Sequence, residues 1–434
     1  MHNHRVQPSV SRYFKSGIQR ILFSFEQFTR HEMANHAAAG AYAFLLSAIP
    51  AILVILFVSS WAVASFNPEL ILKALDPVIG PLGARSAFQS FLSKPLSGFT
   101  GAFGIINLIW AARLFIVSIQ RGIRVVYMNA AKANRVRENI LTFTVELIII
   151  IAVVLIISAS QVARAAMAAI QWAPAAAFLR LAVKISLHIL PILSLWLFVF
   201  LTYKNVPTLK PRTRNAAISS LLCIATSSAL GALLSLTLNT TRYGLLYGIL
   251  GNLIIGLIKV YFFFWLYFLF AELCYTIEYF DSLLFARFHR ISTSDKPSGR
   301  IEKSLFQEPK RLFNRYARHY SQGQLIFSRG DLGRSTFYLY KGRVDIHLSA
   351  PGGENESKHT SVEEGELFGE MASILFEPRS AWALAGTDCT VFVLPPDLFE
   401  RFLAQDTDAS MRLMRLMANR LKTNNNIFTN TDLS

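Results

Sequence analysis

The 434 residues are 53% hydrophobic and only 16% charged, with 43 Lys and Arg against 27 Asp and Glu. Average soluble domains are about a quarter charged, so an ordinary water-soluble globule, a disordered chain and a fibre are excluded, and the length allows two or three domains. The charge is also divided, 32 basic and 12 acidic side chains in residues 1–318 against 11 and 15 in residues 319–434, which predicts two bodies in different surroundings.

The first 35 residues repeat Val10, Phe14, Ile21, Phe25 and Phe28 at helical spacing, with Arg12, Lys15, Arg20 and Arg30 between them. That pattern predicts an amphipathic helix at a membrane interface, or a soluble helix capping a bundle. Nothing resembles a cleavable signal peptide. A bilayer core of about 30 Å needs about 20 apolar residues in a helix, and six segments qualify: 40–63, 101–120, 139–161, 181–203, 215–238 and 245–272. Alternate connections hold fourteen basic residues against six. Because short positive loops stay in the cytoplasm, both termini are expected there. Residues 287–318 add nine basic side chains against three acidic, an arrangement suited to anionic lipid headgroups rather than nucleic acid.

Within these spans stand Arg113, Glu146, Lys184, His188, Lys259 and Glu272. Ionisable groups at membrane depth normally pair or line a polar path. Arg113, Glu146 and Lys259 are candidates for such a path or for a structural ion pair, whereas Lys184 and Glu272 lie near span ends and are expected to snorkel. Gly98, Gly101 and Gly104, and Gly248, Gly251 and Gly256, are expected to let helices approach closely. Cys223, Cys274 and Cys389 fit no disulfide or zinc spacing and are expected as buried small hydrophobes.

Four stretches carry a family resemblance: AYAFLLSAIPAILVI at Ala41 to Ile55, GIINLIWAARLF at Gly104 to Phe115, LFVFLTYKNVP at Leu197 to Pro207, and the long apolar run from Tyr243 to Tyr275. Over about 250 residues the chain resembles the YihY/BrkB family of bacterial inner-membrane proteins. Phe270 stands where the family usually has a glycine before the Ala271-Glu272 pair. The resemblance implies a six-helix membrane protein suspected of moving or exporting something. Members have also been labelled ribonuclease BN, but metal-dependent phosphodiester cleavage needs clustered carboxylates or histidines, and residues 1–318 hold only 12 scattered acidic groups.

SDKPSG at Ser294 to Gly299 has the composition of a linker, and a basic helical stretch follows. From about Tyr320 short alternating runs punctuated by Gly323, Gly330, Gly333 and Gly342 predict strands joined by tight turns. Apolar residues at helical spacing close the chain from Met411 to Leu421. ELFGEMASILFEPRSAWALA at Glu366 to Ala385, with GQLIFSRGD at Gly323 to Asp331 and FYLYKGRVDI at Phe337 to Ile346, is similar to the phosphate-binding cassette and early strands of the cyclic nucleotide-binding domain. A cyclic phosphate carries one negative charge and two exocyclic oxygens, so it calls for a guanidinium with backbone and hydroxyl donors. The resemblance implies that Arg379 pairs the phosphate, Ser380 and the amide of Ala381 complete the anion site, Glu370 takes the ribose 2′-hydroxyl, and Gly369 lets the backbone come close. Phe368, Met371 and Ala372 complete the candidate set. Ser380 leans the base preference toward cyclic AMP.

The sequence therefore predicts an α-helical membrane bundle of six transmembrane helices, followed by a β-roll or jelly-roll cyclic nucleotide-binding domain with flanking helices. The expected divisions are an amphipathic helix (1–35), the membrane domain (36–281), a basic linker and helix (282–318), the nucleotide-binding domain (319–423) and a tail (424–434). The expected function is a bacterial inner-membrane protein, a transporter or exporter regulated by a cyclic nucleotide, cyclic AMP before cyclic GMP. No catalytic residue, metal or cofactor is expected. Expected partners are anionic lipids and the nucleotide, with a homo-oligomer left open and no nucleic acid. The alternatives are a non-transporting envelope or virulence factor whose C-terminal domain is a structural module, and a membrane ribonuclease. A gated channel would need a TVGYG-like filter or a voltage helix. A transcription regulator would need a reading head, for which the residues before Ser434 leave little room.

Overall fold

The computed structural model describes residues 10–62, 99–127, 189, 192–207, 209–237, 240–293, 299–307, 309–349, 358–415 and 417–418. The expected span 139–161, with Glu146, Lys184 and His188, lies outside the described residues. The chain forms two compact units, one drawn from Arg20–Glu278 and the other from Met1–Gln19 with Tyr279–Ser434.

The first unit is helical. Helix α1 (Val10–Arg30) enters it at Arg20, and α2 (Met33–Ala62), α3 (Phe99–Val126), α4 (Ile192–Asn205), α5 (Thr213–Thr237) and α6 (Thr240–Glu278) follow. Helices α2 to α6 fall on the expected spans 40–63, 101–120, the second half of 181–203, 215–238 and 245–272. Among the described residues two stretches, Thr213–Thr237 and Ile254–Glu278, are long and apolar enough to cross a membrane by length and composition. Helix α6 is the unit's spine. Its 39 residues extend about 58 Å at the α-helical rise, and α2, α3 and α5 pack on it.

An aromatic column, Phe264, Tyr267 and Phe268, is buried along α6. Tyr267 stands against Tyr203 of α4, whose hydroxyl donates to the Tyr267 carbonyl at 2.5 Å. Phe25 and Phe28 of α1 pack on Trp265. The close helix approaches fall at Gly40 and Gly122. A Cβ at Gly122 would lie 2.2 Å from the Phe268 ring and one at Gly40 would lie 3.1 Å from Phe264, so at these two positions a side chain would collide with the spine. Around Gly256, by contrast, a Cβ would meet nothing within 4 Å among the described residues.

Glu272 is also corrected. It does not snorkel but is fully buried, its carboxylate 2.7 Å from His31 Nδ1, because the turn between α1 and α2 supplies a polar partner. All three cysteines are buried and unbridged.

The second unit is a β-roll with helices around it. After α7 (Phe280–Thr293), α8 (Arg300–Phe306) and α9 (Lys310–Tyr316) come β1 (Ala317–Tyr320), β2 (Leu325–Phe327), β3 (Thr336–Lys341), β4 (Val344–His347), β5 (Lys358–Val362) and β6 (Leu367–Phe368). Helix α10 (Glu370–Leu375), β7 (Trp382–Ala385), β8 (Cys389–Leu394) and α11 (Pro396–Gln405) follow, then α12 over 407–415. The strands form two antiparallel four-stranded sheets, ordered β1-β8-β3-β6 and β2-β7-β4-β5. Alternating residues of both sheets, among them Phe337, Leu339, Val344, Phe368, Ala383 and Val391, face a common core, as the period-two pattern requires.

Residues 282–318 are expected as a linker and a helix, yet α7 is buried along nearly its whole length. Phe285 and Phe288 pack on Tyr338, Phe392 and, for Phe285, Phe402 at ring distances of 5.0 to 6.2 Å. Phenylalanine at this spacing gives α7 an apolar face that the outside of the roll covers.

Candidate anion-binding cassette

Strand β6 pairs with β3, Phe368 opposite Phe337, and ends at Gly369. There φ is +68°, and a Cβ would lie 2.7 Å from Arg379 Nη1 and 3.1 Å from the Phe337 ring. The left-handed conformation and the lack of room both select glycine. The turn starts α10, whose first residue, Glu370, is fully buried with Ala372 and Ser373. Phe376 ends the helix in a second left-handed conformation, φ +59°, and the chain returns through Pro378 to Arg379.

Arg379 is 4% exposed. Its backbone is fixed by two bonds to the β2–β3 connection, its amide donating to the Asp331 carbonyl at 2.9 Å and its carbonyl accepting from Gly330 at 2.8 Å. Its guanidinium donates through Nη1 to the Gly369 carbonyl and through Nη2 to the Ser335 carbonyl, both at 2.5 Å. The group lies over Phe327 and Phe337, 4.5 and 5.1 Å from their centroids, a cation–π platform. Burial pulls the guanidinium below its ordinary value, and the charges of Asp331 and Glu370 oppose that pull. With an ordinary value above 12 it stays charged at neutral pH. Among the described residues, Arg379 Nε and the hydroxyl of fully buried Thr336 have no hydrogen-bond partner.

The structure therefore brings Phe368, Gly369, Glu370 and Arg379 together inside the roll. Phe368 belongs to the core, stacked on Phe337 at 5.2 Å. Ala372 is buried, Met371 and Ser380 are exposed, and Ala381 is half-buried. Sequence reasoning missed the supporting set, Phe327, Phe337, Ser335 and Thr336. Phe327 and Phe337 stand in the strings GQLIFSRGD and FYLYKGRVDI, but only the third dimension shows that both rings lie under one guanidinium.

In the helical unit, Lys259 Nζ donates to Ser235 Oγ at 3.2 Å and lines a small cavity of about 170 Å³ with Ser227 and Ser228. Arg113 is exposed on α3. No described acidic partner stands beside either.

The virulence factor BrkB family model matches residues 24–284. The chain belongs to the BrkB family. Residues 317–406, which span the roll and the cassette, match the cyclic nucleotide-binding domain model. Curated relatives resemble this C-terminal part. Glutaminase 1 of Bradyrhizobium diazoefficiens is 39% identical over 101 residues, 23% of this chain and 16% of its own. The CRP-like cAMP-activated global transcriptional regulator of Mycobacterium tuberculosis is 28% identical over 109 residues, 25% of this chain and 48% of its own. The matches thus span less than half the length of these relatives. Among solved structures, the catabolite activator protein of Thermus thermophilus is 27% identical, with a TM-score of 0.25 over 32% of this chain and 59% of its own. The BrkB-family chain therefore joins a membrane-associated helical unit to a cyclic nucleotide-binding domain.

Proposed function

We propose that this chain is a multi-pass bacterial inner-membrane protein, a transporter or exporter with six spans and cytoplasmic termini, whose activity a cyclic nucleotide sets. The observation that carries the regulatory half is the buried Arg379 lying over two phenylalanine rings, beside the buried carboxylate of Glu370. A guanidinium held in low dielectric favours a compact anion far more than one in water does. Arg379 takes the cyclic phosphate together with Ser380 and the amide of Ala381, Glu370 takes the ribose hydroxyl, and Gly369 admits the backbone. Cyclic AMP is the preferred ligand, in keeping with Ser380 and with the likeness to a cAMP-activated regulator.

The route to the membrane runs through α11 and α7. Phe402 packs on Phe285 and His289, each at 5.0 Å, and Arg401 lies 3.5 Å over the Tyr279 ring. Only Tyr279 separates α7 from α6 in sequence. A ligand shifts such an equilibrium only by its differential affinity for two states, about 1 to 3 kcal/mol.

The test is thermal unfolding of the full-length protein in detergent with cyclic AMP or cyclic GMP at millimolar concentration. At 100 times its dissociation constant, a ligand stabilises the unit it binds by about 2.7 kcal/mol. The midpoint should rise for the native chain, more with cyclic AMP, and not for Arg379→Ala. No rise with either nucleotide sinks the sensor and leaves the roll as a structural module.

A further inference from the structure

A second cavity lies wholly within the helical unit, between one face of α2 and one face of α3, with a volume of about 460 Å³. Its α2 wall begins at Asn35 and His36 and ends at Leu46. Its α3 wall begins at Arg121 and Ser118 and ends at Leu114. The two helices run in opposite directions along it, Arg121 acting on the charge of His36 at one end and Phe44 meeting Phe115 edge-on at the other. The polar residues are therefore gathered at one end and the apolar ones at the other.

From residue 35 to residue 46 the wall is about 16 Å long at the α-helical rise, close to half of the about 30 Å hydrocarbon thickness. The cavity is as deep as one leaflet. At its polar end Arg121 has no carboxylate partner among the described residues, and His36 and Asn35 line the same end. Glu32, one turn before His36, is engaged by Asn35 Nδ2 at 3.1 Å. A cation above an apolar slot complements an anionic head on a hydrocarbon chain.

We propose that this cavity seats one anionic phospholipid from the leaflet at the start of α2, its phosphate on Arg121 beside His36 and Asn35, and an acyl chain laid toward Leu46 and Leu114. The assignment rests on the membrane function proposed above. The test reconstitutes the full-length protein into vesicles of phosphatidylcholine and phosphatidylglycerol, extracts it in mild detergent and counts retained lipid by native mass spectrometry. The native protein should keep phosphatidylglycerol. Arg121→Ala should lower retention about fivefold, the worth of one basic side chain at an anionic surface. The slot-filling Ala39→Leu should lower it while leaving the charge in place, and Arg30→Ala, whose guanidinium lies on Glu26, should leave it unchanged. Equal retention in Arg121→Ala and the native protein overturns the site, as does displacement of the lipid by free glycerol phosphate. A chain that never enters the vesicles overturns the membrane function as well, whereas one that enters and keeps no phosphatidylglycerol overturns the lipid site alone.

Discussion

Asp406 shows how much one side chain does at a junction. It stands between α11 and α12, 4% exposed. One carboxylate oxygen accepts from the Ala409 amide at 3.0 Å, capping α12, and the other lies 3.5 Å from His289 Nδ1 of α7. Burial alone raises its pKa, but His289, the Ala409 amide and the charge of Arg290 outweigh burial and hold it below the ordinary carboxylate value. A folded value below the unfolded one means stability that is present above about pH 4 and lost as the pH falls through the folded value. Asp406→Asn should therefore cost about 1 to 3 kcal/mol at neutral pH, with amide exchange in 407–415 accelerated. It should also flatten the fall in thermal midpoint between pH 5 and pH 3. An unchanged acid limb would mean that other carboxylates set it.

Between the elements, α7 and α11 meet through aromatic rings, Phe402 lying 5.0 Å from both Phe285 and His289. Phe402 is completely buried, and α11 starts cleanly at Pro395-Pro396, where a proline at the first helical position loses no hydrogen bond. Phe402→Ala should destabilise the second unit by about 3 to 5 kcal/mol. Hydrogen exchange should show the loss first in 280–293 and later in the strands of 317–394; uniform loss would mean that α7 is held from elsewhere. At this scale the sequence was legible in unequal parts. The strands showed in their period-two alternation, and Gly369, Glu370 and Arg379 in their fixed spacing. The burial of α7 did not show, because Phe280, Phe285 and Phe288 are interleaved with Arg287, Arg290 and His289, and a basic run after a membrane span suits an interface equally well. Glycine contacts were illegible for a related reason. A small residue marks a close approach only where a partner's ring fills the space, as Phe268 does at Gly122.

For the whole molecule, the regulation proposed above would be carried by what grips the residues just beyond α6. Asp281 is that point. Its carboxylate accepts from Arg311 Nε at 2.5 Å, Arg315 Nη1 at 2.7 Å and the Tyr316 hydroxyl at 3.0 Å. Arg311 and Arg315 lie four apart on α9, so one helix face presents both. Burial and the Asp281 charge push the Tyr316 phenol up to about 12, which keeps it a donor at every physiological pH. Asp281→Asn removes the charge that draws both guanidinium groups and leaves the cassette untouched. In the full-length protein, cyclic AMP should still raise the thermal midpoint of this variant. The change in hydrogen exchange that the nucleotide produces over 254–278 in the native chain should shrink toward zero, since a coupling of about 1 to 3 kcal/mol is comparable to what three hydrogen bonds to one carboxylate supply. If the α6 response survives in Asp281→Asn, the signal reaches the membrane unit by a path that does not use this clamp.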